Sequence, residues 1–378
     1  MAGIYIHIPF CKKLCSYCDF YHIISQSDNR QYIDALNREA FLRRDYLGNQ
    51  AVSTIYIGGG TPSVLEPSEI KNILNNISRN FRIGEKPEVT IELNPDDVND
   101  DFLDGLKKTI VNRISIGIQS WREQDLKFMN RRHTASAAAI ALDKIFDAGY
   151  DNVTIDLIYG IPGMLTSHWA SNLDISFSYN IKHLSAYHLT IEPGTMLGKM
   201  KEKGALSEID EDESASQFQL LIEKAGTAGF IHYEISNFGL PGFLSVHNSN
   251  YWKQVSYLGL GPSAHSFNGY SRQWNVRDVK KYIKAVDSGC LDFDIEELDK
   301  KTRFNEYIMT SLRTMWGISL DYVEEAFDKE GYDYIKNLSG KFIDYGLMKQ
   351  EKNTLLLTNQ GKMISDNIIS ELMLPVDK

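Results

Sequence analysis

The chain has 378 residues, of which 43% are hydrophobic and 24% are charged, and this ordinary globular composition excludes a fibrous or largely disordered protein. The 40 Lys and Arg residues stand against 50 Asp and Glu residues, and the resulting formal charge of −10 argues against nucleic acid as a partner. No run reaches the roughly 18–20 uncharged apolar residues of a membrane span, and the first residues lack a basic and apolar leader, so we expect a cytoplasmic protein without a transmembrane segment.

Six short apolar segments alternate with amphipathic segments over the first half of the chain. The predicted strands are residues 3–8, 54–57, 88–93, 113–118, 153–158 and 183–189. Between them, the apolar spacing is helical, for example over 31–47, 67–77 and 137–148. Six successive βα units predict an α/β fold with a parallel sheet and outer helices, curled into a partial (β/α)6 barrel of the TIM type.

Polar residues and glycines follow the ends of the predicted strands. Cys11 follows the first strand and a glycine-rich run at 58–61 follows the second, while Glu92 ends the third. Gln119 follows the fourth strand and Asp156 lies in the fifth. Because ligands bind at the carboxyl edge of parallel sheets, this placement predicts a binding site there.

The pattern changes in the second half of the chain. An acidic stretch at 207–213 predicts a helix start that leads into a helix over 217–228, and residues 231–275, rich in Gly, Asn, Ser and aromatics, predict an irregular segment. Helical stretches at 278–286, 300–315, 318–327 and 334–345 precede a strand at 354–357. We therefore predict a barrel domain over 1–275 and a helical, winged-helix-like domain over 276–378.

Three of the four cysteines form a C-x3-C-x2-C pattern at Cys11, Cys15 and Cys18. In a reducing compartment, such a cluster indicates metal or redox chemistry and not disulfides. One alternative is a zinc ion with a fourth ligand from His7 or His22. The other is a [4Fe–4S] cluster on three thiolates, with one iron open to an exchangeable ligand.

This cysteine loop, placed directly after a first strand, resembles the signature of the radical S-adenosylmethionine (SAM) superfamily. Together with GGGTP at 58–62 and DLIYGIP at 156–162, it is similar to the branch that contains oxygen-independent coproporphyrinogen III oxidase and the HemW heme chaperones. The resemblance implies a [4Fe–4S] cluster on the three cysteines and SAM chelated at the open iron. It also implies that an electron from the cluster cleaves SAM to methionine and a 5′-deoxyadenosyl radical, while the protein places the reactants.

The same resemblance implies a set of residues that contact SAM or line its pocket. Glycines allow close backbone approach, a carboxylate suits the SAM cation, and an arginine suits a carboxylate. Whether one or two SAM molecules bind stays open. The implied residues are Tyr5, Tyr17, Gly59, Gly60, Thr61, Glu92, Gln119, Arg131 and Asp156.

Two features separate the oxidase from the chaperones within this branch. The oxidase pattern continues with a further cysteine at C-x-C spacing, whereas here Cys18 is followed by Asp19 and Phe20. The segment HNSNYW at 247–252 resembles the HNxxYW motif of the chaperones. The alternative reading of that segment is a buried aromatic turn with a hydrogen-bonded histidine.

The chaperone resemblance implies heme as a further ligand. His247 can ligate the heme iron, Asn248 can orient that histidine, and Tyr251 and Trp252 offer flat faces for the porphyrin. Other histidines could also bind iron, although each alone is more often structural, namely His183, His188, His232 and His265. No residue is predicted to act as a catalytic acid or base.

We therefore expect a heme chaperone that passes heme to an accepting protein, such as a respiratory cytochrome. The alternatives are radical decarboxylation of coproporphyrinogen III and radical modification of another macromolecule.

Overall fold

The computed structural model of the chain describes residues 1–24 and 29–375. The strands are β1 (Ala2–Ile8), β2 (Val52–Gly59), β3 (Ile83–Leu93), β4 (Arg113–Gln119), β5 (Val153–Tyr159), β6 (His183–His188), β7 (Ile231–Glu234), β8 (Asn237–Gly239), β9 (Tyr257–Leu260), β10 (His265–Phe267), β11 (Ser271–Asn275), β12 (Phe293–Glu297), β13 (Ile318–Ser319), β14 (Met348–Glu351) and β15 (Thr354–Leu357). The helices are α1 (Asn29–Leu42), α2 (Pro67–Asn80), α3 (Asp100–Leu106), α4 (Glu123–Phe128), α5 (Ala135–Asp147), α6 (Thr166–Ser178), α7 (Met196–Glu202), α8 (Glu211–Thr227), α9 (Val246–Trp252), α10 (Val279–Asp287), α11 (Lys300–Leu312), α12 (Leu320–Asp344), α13 (Asn359–Met363) and α14 (Ser365–Leu372).

Strands β1 to β6 lie side by side in chain order and pair in parallel. Their β-branched residues are buried, and Ile57 of β2 pairs with Ile6 of β1 and with Ile91 of β3. Continuous apolar runs of this kind are typical of parallel strands covered on both faces. The predicted partial (β/α)6 barrel is confirmed, and its carboxyl edge carries the ends of all six strands.

Further strands extend this sheet on both sides. The antiparallel pair β7–β8 lies beside β6, while β9 pairs in parallel with β1 and leads into the antiparallel strands β10, β11 and β12. The prediction of an irregular segment over 231–275 is therefore wrong. These strands are only three to five residues long, so alternation of side chains gives a weak signal in the sequence.

The chain forms two hydrophobic cores, and the boundary between them along the sequence lies near residue 300. The first core includes Val279, Tyr282 and Val286 of α10, and β12 pairs with β11 in the large sheet. The second core begins at Phe304. The packing thus groups α10 and β12 with the barrel, later along the chain than the division we predicted at residue 275.

The C-terminal unit combines α11 to α14 with a small antiparallel sheet in the order β13–β15–β14. Helix α12 spans both predicted helices, but it is broken at Asp328, whose φ is 65°. The Asp328 carboxylate accepts hydrogen bonds from the amides of Glu330 and Gly331, as at a helix start. The predicted helical C-terminal region is therefore present. Among the described helices, none is long and apolar enough to cross a membrane.

Candidate functional site

A cavity of about 480 Å³ opens at the carboxyl edge of the parallel strands. We call it the cysteine cavity, because all three clustered cysteines line it. Strand ends of a parallel sheet converge at one edge, so residues far apart in the sequence become neighbours here. The predicted site residues that it brings together are Cys11, Cys15, Tyr17, Cys18, Gly59, Gly60, Thr61, Glu92, Gln119, Arg131, Asp156 and Asn248.

The cysteine loop is held in place by backbone contacts. Cys11 donates its amide hydrogen to Ile23 O at 3.0 Å, and Ser16 donates its amide to Met129 O at 3.1 Å. The Ser16 hydroxyl donates to Phe128 O at 2.9 Å. The loop is thus fixed between the end of β1 and the segment after α4, with its sulfurs on the cavity wall.

Each of the three sulfurs has a polar neighbour. The Thr61 hydroxyl donates to Cys11 Sγ at 3.3 Å, the Arg131 guanidinium donates to Cys15 Sγ at 3.4 Å, and His22 Nδ1 lies 4.0 Å from Cys18 Sγ. Burial raises the pKa of the Cys11 thiol and raises that of Cys18 to about 11, while the charge of Arg131 acts in the opposite direction on both. Donors aimed at sulfur suit thiolates that ligate an iron–sulfur cluster.

The zinc alternative finds no support in the arrangement of donors. Across residues 1–24 and 29–375, no three His, Cys, Asp or Glu side chains converge as ligands of one ion. A single zinc ion needs four ligands within about 2.0–2.3 Å.

The glycine-rich turn after β2 leaves no room for side chains. A Cβ on Gly60 would lie 2.8 Å from Ile8 O, and one on Gly59 would lie 2.6 Å from the His7 ring. Gly59 also has a φ of 109°, which disfavours other residues. The Gly60 amide donates to Ile8 O at 2.7 Å, so the turn is bound tightly to β1 beside the cysteine loop.

Two partly exposed carboxyl groups, Glu92 on β3 and Asp156 on β5, face this cavity. Glu92 accepts hydrogen bonds from the Tyr56 hydroxyl at 2.8 Å and from the Gly59 amide at 3.1 Å. Asp156 accepts from the Ser115 hydroxyl at 3.1 Å. Burial raises the pKa of Glu92 to about 7 and that of Asp156 to about 6, and the Asp156 charge adds to the shift at Glu92. Such a pair favours a cationic ligand.

Arg131 and Gln119 occupy strained or incompletely bonded positions. Arg131 donates to Asn94 Oδ1 and to Gly117 O, each at 2.7 Å, but its buried Nε has no protein acceptor within the described ranges. Gln119 has a φ of 67° at the point where the β4–β5 register shifts. A buried donor without a partner is rare, and this one belongs to a residue that lines the cysteine cavity.

A second cavity of about 550 Å³ adjoins the cysteine cavity along β1 and β2. We call it the aromatic cavity, because eight Tyr and Phe residues of the sheet, α9 and the segment after the cysteines line it, namely Tyr5, Phe20, Tyr21, Tyr56, Tyr187, Tyr251, Tyr257 and Phe267. Helix α11 contributes Met309 and Thr310 to its wall. Tyr5, predicted beside SAM, lines this cavity and not the cysteine cavity, and its hydroxyl bonds to His7 Nδ1 at 3.0 Å. Glu92, Tyr56 and Asn248 line both cavities, which therefore adjoin.

The HNSNYW segment lies in α9, which contributes Asn248 to the walls of both cavities. The amides of Val246 and His247 donate to the Glu88 carboxylate at 3.0 and 2.8 Å, and Ser245 caps the helix. These contacts satisfy amides that would otherwise be free at the helix start. Asn248 and Tyr251 reach cavity walls, whereas Trp252 lines neither of the two cavities as described.

His247 is buried, with only 2% of its surface exposed. Its Nδ1 bonds to the Thr54 hydroxyl at 2.8 Å, its Nε2 bonds to the Tyr251 hydroxyl at 2.9 Å, and its ring stacks on Tyr56 with centroids 5.0 Å apart. Both ring nitrogens are engaged, as in the alternative reading of the motif. Iron ligation by His247 stays a prediction, and in this conformation it requires one of the two hydrogen bonds to break.

Sequence reasoning missed Tyr56, which orients Glu92, and Glu88, which holds the start of α9. Tyr56 lies in a predicted strand and Glu88 begins one, but nothing in the local sequence shows that their partners come from other strands. The candidate histidines were named without a basis for choosing among them.

Comparison with known proteins agrees with this geometry. Residues 5–173 match the model of the radical SAM superfamily. The heme chaperone HemW of Bacillus subtilis is 30% identical over 377 residues, which cover 99% of each chain. HemW of Lactococcus lactis is 31% identical and covers 98% of this chain and 97% of its own.

Among solved structures, coproporphyrinogen III oxidase (HemN) from Escherichia coli superposes with a TM-score of 0.85 at 23% identity, covering 98% of this chain and 90% of its own. That likeness shows the shared fold. The full-length similarity to the chaperones shows more: the chain belongs to the HemW family of the radical SAM superfamily. Membership in the superfamily implies a [4Fe–4S] cluster and SAM as cofactors.

Proposed function

We propose that this member of the HemW family is a heme chaperone that binds heme, a [4Fe–4S] cluster and SAM and transfers the heme to an accepting protein. The observation that carries the proposal is the position of α9, which carries the HNSNYW segment and forms part of both cavities through Asn248. The proposed cofactor site and a cavity whose aromatic lining suits a porphyrin thus share one wall. The curated relatives are named heme chaperones, which supports the same assignment. The cytoplasmic location and a cytochrome as acceptor are part of this proposal.

The residues of the cysteine cavity fit the implied cofactors. Cys11, Cys15 and Cys18 would hold the cluster, which supplies a one-electron reductant when bound. Glu92 and Asp156 would face the cationic groups and ribose hydroxyls of SAM, and Arg131, with its unpartnered buried Nε, would bind a carboxylate. Gly59, Gly60, Thr61, Tyr17 and Gln119 complete this proposed SAM pocket.

The chain's own residues have defined roles in this arrangement. Thr61 and Arg131 donate hydrogen bonds to the sulfurs and so stabilise their thiolate form. Tyr56 and the Gly59 amide orient Glu92. Desolvation of both carboxyl groups strengthens their attraction to a cation.

The oxidase alternative is disfavoured at the residue after the cysteine loop. The oxidase pattern carries a fourth cysteine close behind Cys18, where this chain has Asp19 and Phe20. Asp19 instead accepts a hydrogen bond at its backbone oxygen from Arg277 at 2.7 Å. Its role here is to attach the loop to the segment before α10.

The test is an anaerobic hemin titration of the cluster-reconstituted chain, followed by visible absorbance, with coproporphyrinogen III turnover measured on the same preparation. We expect saturable binding of about one heme per chain, transfer of that heme to an apo heme protein, and no decarboxylation. Reconstitution keeps the three thiols occupied, so they cannot bind hemin themselves. Turnover of coproporphyrinogen without retention of heme would overturn the proposal in favour of the oxidase.

A further inference from the structure

The aromatic cavity contains one histidine whose ring is free to bind iron. We propose, on the basis of the chaperone function above, that heme binds in the aromatic cavity with His265 as an axial ligand and Arg277 beside a propionate. The HNSNYW histidine then acts by positioning Tyr251 and Tyr56 in the cavity wall.

The three histidines that line this cavity differ in their hydrogen bonds. His7 bonds to the Tyr5 hydroxyl through Nδ1 at 3.0 Å and to Tyr21 O through Nε2 at 2.8 Å. His247 likewise uses both ring nitrogens. His265 is exposed, and within the described part of the chain its ring makes no hydrogen bond. Only His265 can therefore offer a nitrogen to iron at no cost in broken contacts.

The position of His265 is fixed even though its ring nitrogens are free. It pairs with Trp274 across β10 and β11, and the two rings stack with centroids 6.0 Å apart. Trp274 in turn donates from its indole nitrogen to Asp294 on β12 at 3.1 Å. A supporting contact of this kind orients a metal ligand and limits the entropy lost on binding.

The lining of the cavity suits a flat, largely apolar ring with acidic substituents. Tyr5, Tyr56, Tyr251, Tyr257 and Phe267 supply aromatic faces. The volume of about 550 Å³ lies within the roughly 300–1,000 Å³ usual for a cofactor-sized pocket.

Two arginines face this cavity, and they differ in how far their charge is neutralised. Arg272 forms an ion pair with Glu306 at 2.5 Å, so its charge is compensated by the protein. Arg277 donates to the Asp19 backbone oxygen at 2.7 Å, and the exposed Asp19 carboxylate lies 3.9 Å away. Arg277 therefore keeps more capacity for a propionate, which a guanidinium binds in a two-pronged geometry.

The protonation of His265 is consistent with a role as ligand. Partial desolvation of the exposed ring by the cavity wall lowers the pKa of His265, and the Arg272 charge lowers it further. Iron binds the neutral imidazole. The ring is thus in the ligating form at neutral pH.

The experiment compares hemin binding by the reconstituted wild type and the variants His265→Ala, His265→Gly, His188→Ala and Arg277→Gln. His188 is the informative comparison, because it is an exposed histidine that lines the cysteine cavity. We expect His265→Ala to weaken hemin binding by at least about tenfold, as loss of metal-site partners does. We expect the absorbance of His265→Gly to return to the wild-type spectrum when free imidazole is added, which a merely structural defect would not allow. Arg277→Gln should weaken binding by roughly 10–100-fold, the range for a lost bond to a charged group.

Each outcome decides between this proposal and another. Wild-type affinity in His265→Ala, a loss in His188→Ala, or no response of His265→Gly to imidazole would overturn the assignment of His265 while the chaperone function stands. Absence of hemin binding by the wild type itself would instead overturn the chaperone function. Because the His265 side chain is exposed, the variants should keep the wild-type melting temperature, and this is measured alongside.

Discussion

At the scale of single residues, the unusual feature is Glu92, because its hydrogen bonds do not fully offset the free-energy cost of removing its carboxylate from water. Glu92 receives two hydrogen bonds, yet burial still raises its pKa to about 7 from an ordinary value of 4.5. The nearby Asp156 shares the same cavity and raises it further. A group held in this way costs folding energy without its ligand and attracts a cation when one is present.

The change Glu92→Gln is therefore expected to stabilise the cofactor-free chain at alkaline pH and to weaken its affinity for SAM. The folded carboxyl has the higher pKa, so the unfolded chain releases its proton first. Wild-type stability consequently falls as the pH rises from 4.5 to about 7. Because Glu92 lines an open cavity, we expect a gain of roughly 1–3 kcal/mol for the glutamine variant at pH 8 and almost none at pH 4.5. Urea unfolding at the two pH values measures this difference.

A matched control separates burial from ligand binding. Glu234 is also buried with a pKa raised to about 7, but it lies on β7, away from both cavities. Glu234→Gln should reproduce the pH-dependent gain in stability while SAM affinity stays unchanged. In Glu92→Gln, SAM affinity should drop roughly 10–100-fold, as for a lost bond to a charged partner. Equal SAM affinity in both variants would contradict the role of Glu92.

At the scale of secondary-structure elements, α9 depends on a residue of the central sheet. Its seven residues are too few to be stable as an isolated helix. Glu88 of β3 accepts the amides of Val246 and His247, and it also lies 3.9 Å from Arg113. The helix that lines both cavities through Asn248 is thus attached to the strand that carries Glu92.

The change Glu88→Ala is expected to loosen α9. It removes the acceptor for two amides at a helix start, which costs about 1–2 kcal/mol. It also leaves the buried Arg113 without its carboxylate, which adds to the loss of stability. We expect faster hydrogen exchange at residues 246–252 and weaker retention of hemin, since His247 then loses its fixed position behind Tyr251. Hydrogen-exchange mass spectrometry measures the first effect and a hemin titration the second.

The control for Glu88→Ala is a substitution of Asp210, which caps α8 by accepting hydrogen bonds from the amides of Asp212 and Glu213. Asp210→Ala removes a similar cap from a helix away from the aromatic cavity, so it should destabilise the chain by about 0.5–2 kcal/mol without changing hemin retention. If both variants lost hemin equally, general destabilisation and not the position of α9 would be the cause.

The elements also show which parts of the structure the sequence could predict. The strands from β1 to β6 were located to within a few residues, because each contains buried apolar residues, and all but β6 contain buried β-branched ones. The strands β7 to β11 were missed, because side chains alternate over too few positions and Gly259 is required by close packing, with a Cβ there lying 2.0 Å from His265 O. Helix α9 was missed because Glu88, which fixes its start, is about 160 residues away.

The candidate site likewise contains features that the sequence could predict and features that it could not. Cys11, Glu92, Gln119 and Asp156 could be placed at the cysteine cavity because they lie at the ends of parallel strands, which meet at one edge. Tyr17 and Arg131 were named only because the family resemblance implies them. The hydrogen bonds of His247 could not be predicted, since its partner Thr54 comes from β2 and a local motif carries no information on that contact. The position of Tyr5 could not be predicted either, as only the neighbouring strands and helices show that it lines the aromatic cavity.

At the scale of the whole molecule, the C-terminal unit is attached to the sheet edge and to the end of α9. Glu234 and Thr314 form a β-bridge, and the Met315 amide donates to Tyr233 O at 2.9 Å. The Trp316 ring lies 6.2 Å from that of Tyr233 and 4.1 Å from Lys253 Nζ, the residue that ends α9. The same unit supplies Met309 and Thr310 to the aromatic cavity but no described residue to the cysteine cavity.

This arrangement predicts that the C-terminal unit controls heme and not SAM. The change Trp316→Ala removes an aromatic pair and a cation–π contact, together worth about 1–3 kcal/mol. Without them, α11 is held less firmly against the aromatic cavity, so bound heme should dissociate several-fold faster, while SAM affinity stays at the wild-type value. Transfer of heme to an excess of apo heme protein, followed by stopped-flow absorbance, measures the dissociation rate.

The matched variant is Tyr345→Ala, which removes a large aromatic side chain from the same unit at an exposed position. It should leave both the dissociation rate and SAM affinity unchanged, because an exposed side chain away from the interface contributes little to stability. A parallel loss of SAM affinity in Trp316→Ala would indicate that the whole barrel had been disturbed. Unchanged heme dissociation would show that α11 takes no part in retaining the ligand. The predicted result, faster heme release with SAM binding intact, follows from the fact that the unit reaches only one of the two cavities.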